Sequence, residues 1–293
     1  MTREGDQPLV AALQHESDAG AIDANLDRMF AVLDEAVDQG VDLAVLPECG
    51  VQGYGYDDEE AVRRDAVTLD DPLMVRVREE ISRRGLHAVV GFIERDGDEL
   101  YNATALVAPT GAILGTHRKI HRPSLGVDRF VAPGDRAPSA FDTAVGRVGL
   151  LICADMVFPE ATRIAALKGA DIIAISACVP SPLTMYSDAL IRVRGYENCT
   201  YVVYCDMAGT DGAWRYEGRS QIVNPSGQVL AEAPREGAHV IVAAVDHEQA
   251  RNKLRIREPG GGIPHAYEFD FFAQRRPELY GELTSADVRA ADR

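Results

Sequence analysis

The chain predicts a mixed α/β fold, and three observations carry that reading. Short apolar runs with a β-branched bias occupy residues 41–46, 148–153 and 171–176, the pattern of strands buried on both faces. Between them apolar residues recur at helical spacing: Leu26, Met29, Phe30, Leu33 and Ala36 mark a helix over residues 21–39, and Gly40 stops it. Residues 86–94, 101–108 and 112–119 supply a third pattern, strands separated by turns at Asp96-Gly97 and Pro109-Thr110-Gly111, as in an antiparallel meander.

The other elements follow in order. Residues 8–14 form a short apolar strand ahead of the first helix, and the strand at 41–46 runs straight into Pro47-Glu48-Cys49-Gly50. A second helix spans residues 71–84 and is closed by Gly85. Residues 121–138 hold proline, glycine and charge without periodicity, which predicts a long ordered or functional loop. The central stretch is residues 146–160, GRVGLLICADMVFPE: an apolar strand ending on Cys153, the pair Ala154-Asp155, then Pro159-Glu160 opening a helix over 161–167. A strand at 171–176, a helix at 184–198 and a strand at 200–206 come next. A hairpin over 218–230 turns at Asn224-Pro225-Ser226-Gly227, and a strand at 238–245 leads into a helix starting at Asp246. From Glu258 onward the tail is rich in Gly, Pro and charge. It carries Phe269, Phe271, Phe272 and Tyr280, rings that need cover, so it is expected to pack on the domain or on a partner subunit. Residues 1–293 contain no fixed-period repeat, low-complexity block or linker, and a single domain is the expectation.

Composition narrows the class. A net charge of −16, spread along the chain, serves solubility and argues against nucleic acid as a partner. Of 30 basic residues only Lys119, Lys168 and Lys253 are lysines, which singles each of them out. Five cysteines, an odd number without a CxxC pair, indicate reduced thiols in a cytoplasmic protein and argue against a disulfide framework or structural zinc. The opening MTREGDQPLV lacks the apolar core of a signal peptide, and no apolar stretch is long enough to span a bilayer. A soluble protein with no membrane partner is expected.

Three chemically capable side chains occupy equivalent places. Glu48 follows one predicted strand, Lys119 ends another and Cys153 ends a third. Strand ends on one side of a sheet converge, so a carboxylate, an ammonium and a thiol can share one pocket. Alone, each has an ordinary explanation: a charged residue at a strand end is commonly a solvated terminus, and a free cysteine is commonly a small packing residue. Cys153, on a strand-to-helix elbow near a helix N-terminus, is expected to favour the thiolate. His117 and His121 have the spacing of helical metal ligands, but the HExxH glutamate is missing and a strand leads through them, so no metal is expected. None of the seven histidines carries the local motif of a papain-like Cys-His pair. Cys49, Cys178, Cys199 and Cys205 read as packing residues, with Cys178 and Tyr54 also candidates to line a pocket.

The blocks LAVLPE, HRKIH, GVDRFVAPGD, GRVGLLICADMVFPE and YEGRSQIVNPSGQVLAEA, spread over residues 8–245, resemble the nitrilase, or carbon-nitrogen hydrolase, superfamily in its amidase and carbamoylase branches. The resemblance implies a four-layer α-β-β-α sandwich, subunits paired through helical faces as a homodimer or higher homo-oligomer, and a Glu-Lys-Cys triad with no metal or organic cofactor. It puts Glu48, Lys119 and Cys153 in the triad and Asp128 where the family carries a further glutamate, one methylene longer. Tyr54, Ala154 and Cys178 are the substrate-binding candidates.

These residue types suit amide hydrolysis. An amide carbon is a poor electrophile, so a thiolate attacks, with Glu48 taking the thiol proton as general base. Lys119 and a backbone N–H after Cys153 would hold the oxyanion, and Glu48 would return the proton to the leaving amine. Water activated by the same carboxylate would then resolve the thioester, while Asp128 keeps Lys119 charged and oriented. In the resemblance, Ala154-Asp155 after the nucleophile fits the amidase side and lacks the ring found in other members, which implies a roomier site. Met156 and Val157 stand where carbamoyl amino-acid hydrolases place arginines. An amidase for a small uncharged or cationic amide or N-carbamoyl amine, releasing ammonia, is therefore expected, unless Arg122 or Arg192 reaches the site. A nitrilase, or an inactive relative serving as a binding subunit, is the alternative.

Overall fold

The computed structural model describes residues 7–261 and 263–285. Strand β1 (Leu9–Gln14) leads into α1 (Ile22–Asp38), and β2 (Leu43–Val45) is followed by α2 (Glu59–Asp65) and α3 (Pro72–Arg84). The meander is β3 (His87–Asp96), β4 (Glu99–Val107) and β5 (Ile113–Arg118). The second half contains β6 (Ala140–Thr143), β7 (Gly146–Ile152), α4 (Pro159–Leu167), β8 (Ile172–Ala177), α5 (Ile191–Asn198) and β9 (Tyr201–Asp206). Then come the small ribbon β10 (Thr210–Asp211) and β11 (Trp214–Arg215), the hairpin β12 (Gln221–Val223) and β13 (Val229–Glu232), β14 (His239–Ala244) and α6 (His247–Arg251).

These strands make two six-stranded sheets, ordered β14-β1-β2-β3-β4-β5 and β13-β12-β9-β8-β7-β6. Each has a parallel centre, β1-β2-β3 in one and β7-β8-β9 in the other, flanked by antiparallel pairs. The period of two in β1 shows why these runs are apolar throughout. Val10 and Ala12 face the other sheet, where they meet Val148, Leu150, Ile172 and Val203, while Ala11 and Leu13 face Leu26, Met29 and Leu33 of α1. Met74, Val77 and Ile81 of α3 cover the same outer face. On the far side Ala161 and Ala165 of α4 and Ile191 of α5 cover Leu151, Ile173 and Ile175. The result is the α-β-β-α layering expected, with each fully buried aliphatic side chain contributing about 1.5–3 kcal/mol.

Local signals set the helix ends. Asp71 accepts a hydrogen bond from the Leu73 N–H, Pro72 opens the first turn, and Gly85 at φ 69° closes α3 against the Ile81 and Ser82 carbonyls. Two features depart from the sequence reading. The predicted helix over residues 184–198 begins as one π turn, Tyr186–Leu190, before α5. Helix α2 was not anticipated, because seven residues with only Val62 and Asp65 buried carry too little periodicity to register. The loop at 121–138 is ordered, as the sequence reading expects, around a 3-10 turn, Gly126–Arg129, which carries Asp128.

By compactness residues up to Arg251 form one unit and those from Asn252 onward a small second one. In the second, β15 (Leu254–Arg257), just ahead of the tail that the sequence reading begins at Glu258, pairs antiparallel with β16 (Tyr267–Asp270) within it. Phe269 and Phe271 meet edge to face at 4.9 Å in that unit. Among the described residues no helix is long and apolar enough to cross a membrane.

One glycine decides how the segment carrying Glu48 passes the meander. A Cβ at Gly91 in β3 would lie 2.4 Å from the Pro47 carbonyl oxygen and 2.8 Å from the Cys49 nitrogen. Backbone fills that space and cannot retreat as a side-chain tip can. Gly91→Ala is therefore expected to cost about 1–3 kcal/mol, read as a lower urea midpoint; an unchanged midpoint would show that the 47–49 segment adapts freely.

Candidate active site

The segment after β2 meets the end of β8, where the Glu48 N–H donates to the Ala177 carbonyl at 3.4 Å. Glu48, Lys119 and Asp128, remote in sequence, then come together with almost no exposure to solvent. Lys119 Nζ donates to Glu48 Oε1 at 2.6 Å and to Asp128 Oδ2 at 2.5 Å. Asn102, from the middle of β4, donates through Nδ2 to Glu48 Oε1 at 2.6 Å and to Asp128 Oδ1 at 3.0 Å. The Cys49 thiol donates to Asn102 Oδ1 at 3.5 Å, which orients the amide. A buried ammonium and two buried carboxylates are tolerable in such a place because each is paired and hydrogen-bonded.

The other predicted site residues take definite places around this cluster. Cys178, just past β8, donates its N–H to Glu48 Oε2 at 2.9 Å and its thiol to the Glu48 carbonyl at 3.0 Å, so it fixes both side chain and backbone of the carboxylate. Tyr54 lies with its hydroxyl 2.9 Å from Asp128 Oδ2 and its ring 5.6 Å from Lys119 Nζ. Ala154 is partly exposed beside Cys153. Cys153 is 5% exposed and heads a 3-10 turn, Cys153–Val157, directly after β7. Its φ of 42° is left-handed, a conformation costing a residue with a Cβ about 1–2 kcal/mol.

Charge and burial set the protonation tendencies. Burial, reinforced by the Asp128 charge, raises Glu48 above the ordinary glutamate range, with Lys119 and Asn102 pulling the other way. Burial alone would lower Lys119, but Glu48 and Asp128 outweigh it and hold the ammonium well above its usual value. Burial, then the charge of Glu48, pushes the Cys153 thiol well above its usual value, opposed by Lys119 and the Cys178 N–H. This corrects the expectation of a resting thiolate. The long helix α4 starts only at Pro159, and in a site this enclosed the cost of desolvating sulfur anion exceeds what a short turn returns. The sulfur lies within electrostatic reach of both Glu48 and Lys119, which act on it in opposite senses.

Asp155 shows the largest gap between sequence and structure. Fully buried, it accepts from His117 Nε2 and His121 Nδ1, both at 2.8 Å, and from the Ile120, His121 and Ile152 N–H groups at 3.2, 3.0 and 3.3 Å. Burial would raise its carboxyl, yet the His117 and His121 hydrogen bonds prevail and hold it well below the usual range. The two histidines weighed as metal ligands thus serve this carboxylate. Among the described residues no group of three or more His, Cys, Asp or Glu is arranged to hold a metal ion.

Asn102, Asp206 and Tyr186 were not identified from sequence. Asn102 had a signal, a polar residue inside the otherwise apolar run of β4. Asp206 at the end of β9 accepts from the Val179 N–H at 2.8 Å and the Tyr204 hydroxyl at 2.9 Å, and burial raises it well above the aspartate range. Tyr186 packs against the cluster containing Cys153, and burial pushes its hydroxyl up to about 12. Nothing in a helical pattern distinguishes such a residue from an ordinary amphipathic face.

Comparison with known proteins agrees with this geometry. Residues 9–253 match the carbon-nitrogen hydrolase family, so the chain belongs to that family. It is an amide-hydrolysing enzyme of the family's amidase-like branch. It is 35% identical over 262 residues to a nitrilase of Pyrococcus abyssi, covering 88% of this chain and 93% of the relative. It is 31% identical over 245 residues to the 2-oxoglutaramate amidase of Paenarthrobacter nicotinovorans, covering 80% and 82%. The human omega-amidase is 30% identical over 272 residues, covering 87% and 91%. In fold the chain is similar to an amidase from Nesterenkonia sp., with a TM-score of 0.82 at 23% identity over 97% of this chain and 98% of that one.

The bridging amide of Asn102 offers a test of the cluster. Asn102→Asp keeps the shape but substitutes a third carboxyl, which must stay protonated to donate. Its folded pKa then lies above the unfolded value of about 3.9, so the stability deficit grows as pH rises above that value. Urea midpoints of parent and variant are expected to lie closer at pH 5 than at pH 8; a gap independent of pH would contradict the pairing described.

Proposed function

We propose that the chain hydrolyses the carbon–nitrogen bond of a small uncharged or cationic amide, or of an N-carbamoyl amine, through a thioester on Cys153 with release of ammonia. The observation that carries this reading is the buried Glu48–Lys119–Asp128 cluster beside the Cys153 elbow. Glu48 takes the thiol proton as sulfur attacks the carbonyl carbon, so the anion forms only as the new bond does. Lys119, kept charged by its two carboxylates, and a backbone N–H after Cys153 stabilise the oxyanion. Glu48 gives its proton to the departing nitrogen, then takes one from the water that cleaves the thioester. Asp128, held by Tyr54 and Asn102, orients the lysine, and Ala154, Cys178 and Tyr186 border the sulfur's surroundings.

The arginines support the choice of substrate. Arg122 Nη1 donates to the Asp128 carbonyl at 3.0 Å and also to the Val131 carbonyl, and Arg192 Nε to the Gly227 carbonyl at 3.1 Å. Arg194 donates to the Met156 and Val157 carbonyls at 2.7 and 3.0 Å, beneath the turn that follows the cysteine. Each of these guanidiniums is held in place by backbone carbonyls, which supports a substrate without a carboxylate for them to pair. The nitrile reading keeps a place because of the Pyrococcus relative's name.

Five buried free cysteines support a reducing compartment such as the cytoplasm. Exposed Leu167 on α4 with Val193 and Tyr196 on α5 supports a homodimer or higher homo-oligomer through that helical layer.

Ammonia release from a panel of amides, ureides and nitriles tests the function. Cys153→Ala is expected to remove release completely while preserving the circular dichroism and urea midpoint of the parent. Turnover by that variant would end the nucleophile assignment, and an inert parent across all three classes would favour a binding role.

A further inference from the structure

Lys119 and Cys153 reach the site from different sheets, β5 and β7, and one buried side chain ties those two strand ends together. Asp155 lies two residues beyond Cys153, and its partners lie on both sides of Lys119: His117 at position −2, the Ile120 N–H at +1, and the N–H and ring of His121 at +2. Its Oδ2 also accepts the N–H of Ile152, immediately before the sulfur-bearing residue. The short turn holding Cys153 is thus braced from inside by the same carboxylate that fixes the backbone of the ammonium. The outer end of the brace is packed as well, with the His121 ring stacked on Phe158 at 3.8 Å and 12°. From the other side Arg194 holds the carbonyls of Met156 and Val157.

We propose that Asp155, acting through His117 and His121, is a positioning residue for amide hydrolysis. It sets the separation between the Cys153 sulfur and the Lys119 ammonium, and so the fit of the oxyanion between them. The inference rests on the reading of Cys153 as nucleophile and Lys119 as oxyanion donor. The physical reason is the steep dependence of rate on geometry: a misplacement of about 1 Å costs on the order of 100-fold. A carboxylate accepting five hydrogen bonds has little freedom, whereas an amide in its place loses an acceptor and turns a donor toward the N–H groups. Substrate binding makes no use of these contacts, so the effect belongs in kcat.

The test compares Asp155→Asn, His117→Phe and His117→Gln with the parent on an amide the parent turns over, counting active molecules by iodoacetamide labelling of Cys153. Per labelled thiol, Asp155→Asn is expected to lower kcat about 100-fold and His117→Phe about 10-fold, with KM within about threefold of the parent. His117→Gln, which keeps a donor, is expected to recover part of the loss. If Asp155→Asn fails to fold, the two His117 variants decide alone. Unchanged kcat per labelled thiol alongside a lower urea midpoint would reduce Asp155 to a structural role and overturn the proposal, as would a loss confined to KM. An inactive parent would indict the functional reading instead, so the two failures are distinguishable.

Discussion

The structure depends on keeping one ammonium and two carboxylates dry. Glu48, Lys119 and Asp128 are removed from water, and removing the lysine would leave two buried carboxylates without a cation, at a cost of several kcal/mol. Neutral and polar groups complete the set: the Asn102 amide spans both carboxylates, the Cys178 N–H satisfies the free oxygen of Glu48, and Tyr54 caps Asp128. Every element that delivers one of these groups must therefore arrive within a few tenths of an ångström. The two-sheet core supplies that rigidity, being close-packed on both faces of each sheet.

The same enclosure shapes the chemistry. Burial and the neighbouring Glu48 push the Cys153 sulfur toward the thiol form, against the pull of Lys119. Burial likewise raises the Glu48 carboxyl above the ordinary glutamate range. The left-handed backbone at Cys153 presents the sulfur at the strand end, and Asp155 and Arg194 hold the turn from opposite sides. Strain at one residue is sustained because its neighbours are overdetermined.

Much of the fold was legible before any coordinates. The buried strands announced themselves through unbroken apolar runs, and α1 and α3 through spacing and capping residues, because burial on known faces leaves a periodic trace. The π turn before α5, helix α2 and the hairpin β15–β16 left no comparable trace, since short or half-exposed elements bury too few side chains to impose a period. In the site, Glu48, Lys119 and Cys153 could be named from their places at strand ends and from family blocks. Asn102 and Asp155 could be seen as residues, but their tasks could not be assigned.

The sequence by itself determined the mixed α/β class, most of the buried strands and the longer helices, and it offered Glu48, Lys119 and Cys153 as candidates, while the layered sandwich was implied by the family resemblance. The buried strands and longer helices are consequences of composition and spacing along one chain. Tertiary structure alone decided that His117 and His121 serve a carboxylate, that Asp155 ties two strand ends from different sheets, and that the thiol is pushed up when a helix terminus would have lowered it. Hydrogen bonds and desolvation act between residues tens of positions apart, and no local pattern records which partners folding will bring within 3 Å.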